Sequence, residues 1–577
     1  MKFLKNNKII ILILILASIL RLVLLDRIPT GISNDELHFV LNAKSVFQRF
    51  TSLSGAKWSP LSFQTIPDEV SSELPFITIA PIVGPLPTNL FTARLPYVIV
   101  GVLSIFLIYL ITKKLSKNNS VALVSALIAA LNPWSIYVNR TSFDAPLALF
   151  FFLLTIYLQS CKKQKLILLS FISSVFAFYS YIGTKVIYLP FMLISCFFFW
   201  KYFHHKKNTF TFLLISIFSI LITANFLFSL KQSVVGKRSS ELITPNSPQI
   251  IALVETERNQ SLNSALKTVL TNRYILYLRT FIDKYLYNFS TDIMFLNGDH
   301  TFMVSLWKMG YFYYIDIVLL LLGVIYLFNN YRSIFYFLFS LILLSPIPEA
   351  IRADKIPAYA FHSVFQYPFL FIIIGAGTYY FWQLFSSKIV RAIFILIYFI
   401  LFLNFIDLYF FKYPVYQSEG FSVSRRLISK YLSFEKNISQ HIFVITPEPD
   451  SLFRNYLFYN NIINTKSIDT VTLQYKLSSD RQTLNWENIT FTSIYPTDIS
   501  EKNTYIIDKN INNYHINDEN LQTITNFFDR SEIYRIIYGK TCQQTRFADI
   551  PNGLFMKDLN IEYLTNDTFC QKFVSIK

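Results

Sequence analysis

Eleven apolar runs, each about as long as a hydrocarbon layer is thick, decide most of what this chain can fold into. They cover about residues 9–25, 94–112, 120–138, 143–160, 166–182, 186–203, 210–230, 311–328, 333–347, 361–383 and 391–411. Backbone polar groups find no water in lipid, so successive runs of this length predict an α-helical polytopic membrane protein of about eleven spans. Composition agrees: 53% of the 577 residues are hydrophobic and only 15% are charged, less charge than a soluble chain normally carries. The first run opens on Lys2, Lys5 and Lys8 and has no small-residue cleavage site, which predicts a retained anchor rather than a removed signal peptide.

The connecting loops predict sidedness. Every second loop is basic and free of Asp and Glu: Lys113, Lys114 and Lys117, then Lys162, Lys163 and Lys165, then Lys201, Lys206 and Lys207, then Arg332, then Lys388 and Arg391. By the positive-inside rule these loops and the N-terminus are cytoplasmic. The long segments 26–93 and 231–310 and the tail from 412 then face outward, and they carry nearly all the acidic residues. A formal net charge of +17 raises the question of nucleic acid. The placement of the cations answers it: they follow the topology rule and suit anionic headgroups, so membrane lipids and not nucleic acid are the expected partners. A Lys-, Asn- and Ile-rich composition points to an AT-rich bacterial genome, and the expected location is a bacterial inner cell membrane.

Two domains are expected: a membrane module over 1–411 and a small outward α/β domain over 412–577. In the tail, "HIFVIT" (441–446), "ITFTSIY" (489–495) and "TYIIDK" (504–509) are patterned as strands. "SVSRRLISKYL" (422–432) and "PDSLFRNYLFY" (449–459) are patterned as helices. Cys542 and Cys570 share the oxidising side, where a disulfide and two free thiols are both allowed. Residues 264–289 are patterned as a helix lying along the membrane surface, inside a loop too long to be a plain connection.

Chemistry is concentrated on the outward side. In "GISNDELHFV" (31–40), Asp35 and Glu36 stand where the chain leaves the membrane. Paired carboxylates there suit a general base with a hydrogen-bonding or metal-binding partner. The same "SNDE" is also a good helix N-cap. Asp144, in "NRTSFDAPLALFF", opens the fourth run at the same membrane level. The competing reading is a carboxylate stabilised by a helix dipole. Arg94, Arg140, Lys185 and Arg352 are cations on the side the topology rule disfavours. A bound phosphate would account for them, as would snorkelling to headgroups. Asp299 and His300 precede the eighth run, and Asp316 lies inside it, where an acid is either functional or a paired structural group. His38, His300 and His362 show no HxH or HExxH spacing, so the metal signal is weak. With no glycine-rich phosphate loop and only 14 glycines, no nucleotide cofactor is expected.

Taken in order, "LRLVLLDRIPTGISNDELHFVLNAKSVF", "TARLPYVIVGVLSIFLIYLITKKL", "LIAALNPWSIYVNRTSFDAPLALFFFLLTIYL", "GDHTF" with "GYFYYIDIVLLLLG", and "LSPIPEAIRADKIP" resemble the GT-C glycosyltransferases, over about residues 18 to 411. The resemblance is to the protein O-mannosyltransferase and lipid A aminoarabinose-transferase type, glycosyltransferase family 39. It implies inverting transfer of a hexosyl or pentosyl group from a polyprenyl-phosphate donor to a lipid, polysaccharide or protein acceptor outside the cytoplasm. Asp35 matches the family's catalytic base, with Glu36 as its immediate partner. Asp144 matches the acid of the second outward loop, which helps to shape the acceptor side. Arg94 matches the arginine expected to hold the leaving phosphate. The chain departs from the family at "PAYAFHS" (357–363), where Pro-His-Ala-Leu-Arg is common and His362 stands near the usual arginine. It departs again after "GD", where only His300 remains of an arginine–histidine pair. The resemblance leaves the sugar, the acceptor and metal dependence open. Two other classes compete: a transporter or flippase of lipid-linked glycans, and a non-catalytic scaffold for polysaccharide assembly. Transporters favour midplane charges and repeated halves, which this chain lacks. The intact Asp35–Glu36 pair opposes the scaffold.

Overall fold

A computed structural model describes residues 8–57, 72, 74–204, 208–229, 241–299, 305–353, 359, 361–478, 480–496, 499–511, 521–527, 529, 531–542 and 553–576. All eleven apolar runs coincide with helices. The chain opens with α1 (Lys8–Leu22), then α2 (Asn34–Arg49) and α3 (Leu74–Val83) of the first long loop. The membrane part continues with α4 (Leu90–Ser116), α5 (Asn119–Leu131), α6 (Pro133–Val138), α7 (Ala145–Gln159), α8 (Gln164–Ser180), α9 (Ile182–Phe199) and α10 (Thr209–Ser229). The second long loop contains α11 (Pro248–Asn259) and α12 (Arg273–Tyr287). Then come α13 (Asp316–Asn330), α14 (Arg332–Leu344), α15 (Tyr367–Leu384) and α16 (Lys388–Asp407). Among the described residues, six helices are individually long and apolar enough to cross a membrane, and four of the other runs form shorter apolar helices.

Local chemistry explains the interruptions. The run 120–138 is cut into α5 and α6 at Asn132, whose side chain caps Ser135 N at 2.9 Å, with Pro133 supplying the first helical residue. Proline lacks the N–H that a continuous helix would need there. Helices α8 and α9 meet at a single extended residue, Tyr181. Helices α13 and α15 touch backbone to backbone: a Cβ on Gly377 would lie 1.8 Å from Leu319 O, and one on Gly323 would lie 1.9 Å from Ile373 O. Small residues let membrane helices approach this closely, and dispersion contacts then hold the pair. Helix α16 buries only Phe405 and leaves Ile389, Ile393, Leu396 and Leu403 bare, as a lipid-facing span does.

The tail forms a seven-stranded sheet of order β2-β3-β1-β4-β6-β5-β7. The strands are β1 (Ile442–Ile445), β2 (Thr483–Trp486), β3 (Ile489–Thr492), β4 (Thr504–Asp508), β5 (Gln522–Thr525), β6 (Glu532–Ile537) and β7 (Val574–Ile576). β1 runs parallel to β3 and β4, and the remaining pairs are antiparallel. These three are the segments the sequence patterned as strands. Helices α17 (Val423–Glu435) and α18 (Pro449–Tyr459) add Leu427, Tyr431, Phe453 and Tyr456 to the core. Cys542 and Cys570 are bonded and buried, with Cα atoms 5.6 Å apart. The same hydrophobic core takes in Leu37, Val40 and Leu41 of α2 and Phe76 and Ile79 of α3, so sheet region and first loop are packed as one unit.

Candidate active site

The loop after α1 turns into α2 through a capping box: Ser33 accepts from Glu36 N, and Ser33 N donates to Glu36 Oε2 at 2.9 Å. Capping and chemistry are thereby divided among neighbours. Ser33 and Glu36 hold the helix end, while Asp35 remains exposed in the first turn. Asp35 lines a cleft of about 420 Å³, together with His38 one turn further along the same helix face. Asp144 stands opposite, at the start of α7, and its side chain makes no cap hydrogen bond. The walls are Phe143, Phe361, Tyr181 and Tyr359, with His362 among them. Burial, with Asp35 and Asp299 nearby, pushes the Tyr359 phenol well above its usual range, so it stays a neutral hydrogen-bond donor.

An apolar groove of about 480 Å³ adjoins this cleft. Val186, Leu189, Phe226 and Leu227 line it, and it shares Ile182 and His362 with the cleft. Lys185 and Arg352 also line it. Lys185 is 4% exposed and lies over the faces of Phe178 and Phe226. Arg352 is 2.7 Å from His362 Nδ1, and that imidazole contacts the fully buried Glu349. The arginine beside His362 in space is Arg352, ten residues earlier in the chain.

Several expected site residues lie elsewhere. Glu36 is fully buried; it accepts from Ser142 N at 2.9 Å and pairs with Arg94 Nε at 3.5 Å. Arg94 is buried too, donating to the carbonyls of Leu25, Pro29 and Gly31. It fastens the loop that carries Asp35 and does not line the cleft. Arg140 donates to the carbonyls of Leu20, Arg21, Val23 and Ile28 and to Tyr409 Oη. Those of Leu20, Arg21 and Val23 are at the end of α1, and that of Ile28 is in the loop after it. The cations find their oxygen partners within the protein: main-chain carbonyls mostly, with the Glu36 carboxylate for Arg94 and the Tyr409 hydroxyl for Arg140. Asp299 accepts from the Tyr311 hydroxyl, and Asp316 accepts from Tyr313 N at 3.0 Å at the start of α13. Both are buried and neither lines the cleft, although Asp299 is near Tyr359 of its wall. His300 lies outside the described residues. Among the described residues, no group of three His, Cys, Asp or Glu is gathered to hold a metal ion.

Sequence reasoning did not reach Arg454, on α18 of the sheet region, which lines the cleft and pairs with Asp450 at 2.9 Å. Nothing local in "PDSLFRNYLFY" marks it, because only packing of the tail against α2 brings it there. Tyr181 was legible in principle, as an aromatic at the junction of two apolar runs.

Residues 85–228 match the family model described as dolichyl-phosphate-mannose-protein mannosyltransferase. The match bears out the GT-C resemblance. It spans the segment from just before α4 to the end of α10, which supplies Asp144 and Lys185. Among curated proteins, no sequence matches the chain. Among solved structures, ArnT from Cupriavidus metallidurans bound to undecaprenyl phosphate is 8% identical at TM-score 0.45, covering 92% of this chain and 98% of that one. Oligosaccharyltransferase AglB from Archaeoglobus fulgidus, in complex with an inhibitory peptide and a dolichol-phosphate, is 9% identical at TM-score 0.43, covering 87% and 69%.

Proposed function

We propose that the protein is an integral-membrane glycosyltransferase that moves a sugar from a polyprenyl-phosphate-linked donor to an acceptor hydroxyl on the extracytoplasmic side. One observation carries the reading: an acidic cleft and an apolar groove share a wall at Ile182 and His362, with Lys185 and Arg352 along the groove. An amphiphilic donor fits that junction. Its prenyl chain lies among Val186, Leu189 and Phe226, its phosphate against the cations, and its sugar in the cleft. The family match over 85–228 supports the same class of donor.

Asp35 is the general base. Its carboxylate takes the acceptor's hydroxyl proton as that oxygen bonds to the anomeric carbon. The bond from that carbon to the phosphate oxygen breaks on the opposite face, so configuration inverts. The leaving polyprenyl phosphate keeps the electron pair, and negative charge grows where Lys185 and Arg352 can offset it. Asp144 orients the acceptor across the cleft, and the Tyr359 hydroxyl adds a neutral donor. The acceptor is a lipid, a polysaccharide or a protein.

The test uses full-length protein in proteoliposomes, synthetic polyprenyl-phosphate sugars, and membranes from host cells lacking the gene as acceptor. Asp35→Asn is expected to lower transfer about 10²–10⁴-fold, the usual worth of a positioned base. Lys557→Ala, on an exposed residue of the sheet region, should match wild type. Full turnover by Asp35→Asn, or labelling of position 35 from the cytosolic side, would remove the proposal.

A further inference from the structure

Helix α12 has two apolar faces, and packing accounts for only one. Leu276 points inward, onto Ile250 and Val254 of α11. Residues two positions away point the other way. Tyr274 is 60% exposed, Leu278 55%, Ile282 42% and Leu286 57%. Leu266 and Leu270, at 62% and 58%, are bare as well, on the separate short helix Ala265–Leu270 that precedes it. A bare apolar stripe of this length on a helix marks an interface.

We infer that this stripe is docked in the leaflet on the cleft side, and that the docking holds the mouth of the apolar groove at headgroup level. Lipid is favoured as the occupant by position. The Tyr285 hydroxyl donates to Leu343 O at 2.7 Å, next to the last residue of span α14. That fastens α12 where hydrocarbon gives way to headgroups. The nearby end of α10 leaves Leu227 and Phe228 bare at 56% and 63%, so the stripe continues a lipid-facing surface. Arg273 is exposed on the same helix, as a cation facing anionic headgroups is, whereas Arg279, also exposed, pairs with Glu257 of α11 at 3.0 Å.

The second long loop is also bonded to the groove. Lys284, on the inner face, donates to Arg352 O at 2.8 Å. Leu242 pairs with Arg352 as an isolated β-bridge, and Ile243 N donates to Ile351 O at 2.8 Å. Leu242, Ile351 and Arg352 all line the groove. Displacing α12 from the lipid would therefore move the groove's cationic edge.

The test places a fluorophore on Leu278→Cys in the full-length chain reconstituted in vesicles, with the unsubstituted chain as the background for buried Cys161 and Cys196. Quenching by nitroxide-bearing lipid and protection from iodide are expected, at every protein-to-lipid ratio. Iodide quenching would overturn the docking. So would protection that appears only at high protein density, because the occupant would then be a second copy. A second arm measures binding of undecaprenyl phosphate. Leu278→Glu with Ile282→Glu should weaken it, whereas Leu262→Glu, on a residue 92% exposed outside the stripe, should not. Equal binding by all three chains would overturn the coupling. Absence of binding by the wild type, with docking intact, would sink the donor reading and the coupling but leave the docking in place.

Discussion

Glu36 and Arg94 are both fully buried and 3.5 Å apart, so each compensates the other for leaving water. The pair sits directly behind Asp35 and ties the loop after α1 to α4. Removing one partner strands the other, at a cost of roughly 3–5 kcal/mol. Glu36→Gln is therefore expected to lower the thermal unfolding midpoint in detergent, and Glu36→Gln combined with Arg94→Met to cost less than the sum of the two singles. An unchanged midpoint with lost transfer would return Glu36 to the chemistry. At this scale the sequence was informative about residue type and silent about partner. A guanidinium on the disfavoured side of a membrane must find oxygen acceptors, and a phosphate and three main-chain carbonyls satisfy it alike. Asp35 and Asp144 were legible because both stand at ends of apolar runs on one side. Glu36 was assigned beside Asp35 by adjacency, yet consecutive helix residues point about 100° apart.

Apolar runs translate into helices almost one to one, because in lipid the backbone has few alternatives. The departures are chemical: Pro133 splits one run, and Tyr181 separates two helices within a single residue. How helices pair is less visible. Gly323 and Gly377 read only as small residues within apolar segments, yet each lies against a carbonyl of the facing helix. Gly377→Leu must push α13 and α15 apart. Overpacking of this kind costs about 1–3 kcal/mol, and here it should lower the unfolding midpoint and the yield of monodisperse protein. Leu384→Ala, at an exposed position of α15, should leave both near wild type. Equal behaviour of the two variants would show that the close contact contributes nothing.

The sheet region shares its core with α2 and α3, and its α18 delivers Arg454 to the cleft, so stability of the tail and geometry of the site are linked. Two contacts allow that link to be tested. The Cys542–Cys570 bond closes a loop of 28 residues, worth about 3.6 kcal/mol by chain entropy. Reduction, or Cys542→Ser with Cys570→Ser, should lower the midpoint and loosen transfer in parallel. Intact transfer by an unstable tail would uncouple them. The second contact is Arg426, buried and paired with Glu562 Nε to Oε1 at 2.7 Å, with a further donation to Thr30 O in the first loop. Burial alone would raise the Glu562 carboxyl, but the Arg426 charge and its hydrogen bonds outweigh it, and the net direction is down. A carboxyl lowered on folding stabilises fully above its unfolded value of about 4.3. That contribution is lost as pH falls through the lower folded value. Wild type should therefore lose stability more steeply than Glu562→Gln below about pH 4. Parallel acid profiles would contradict the pairing.

By itself the sequence determined which segments form apolar helices, the alternation of basic loops, the strands β1, β3 and β4, and the acids at the ends of the runs. These depend on patterns within a few residues, where hydrophobic length, charge and side-chain period act locally. Only the tertiary structure decided which of those charges meet. It set Asp35, Asp144 and Arg454 around one cleft, turned Arg94 and Arg140 onto carbonyls, and joined the cleft to an apolar groove at His362. Such choices depend on the direction each side chain takes after distant segments have packed, and no local pattern carries that direction.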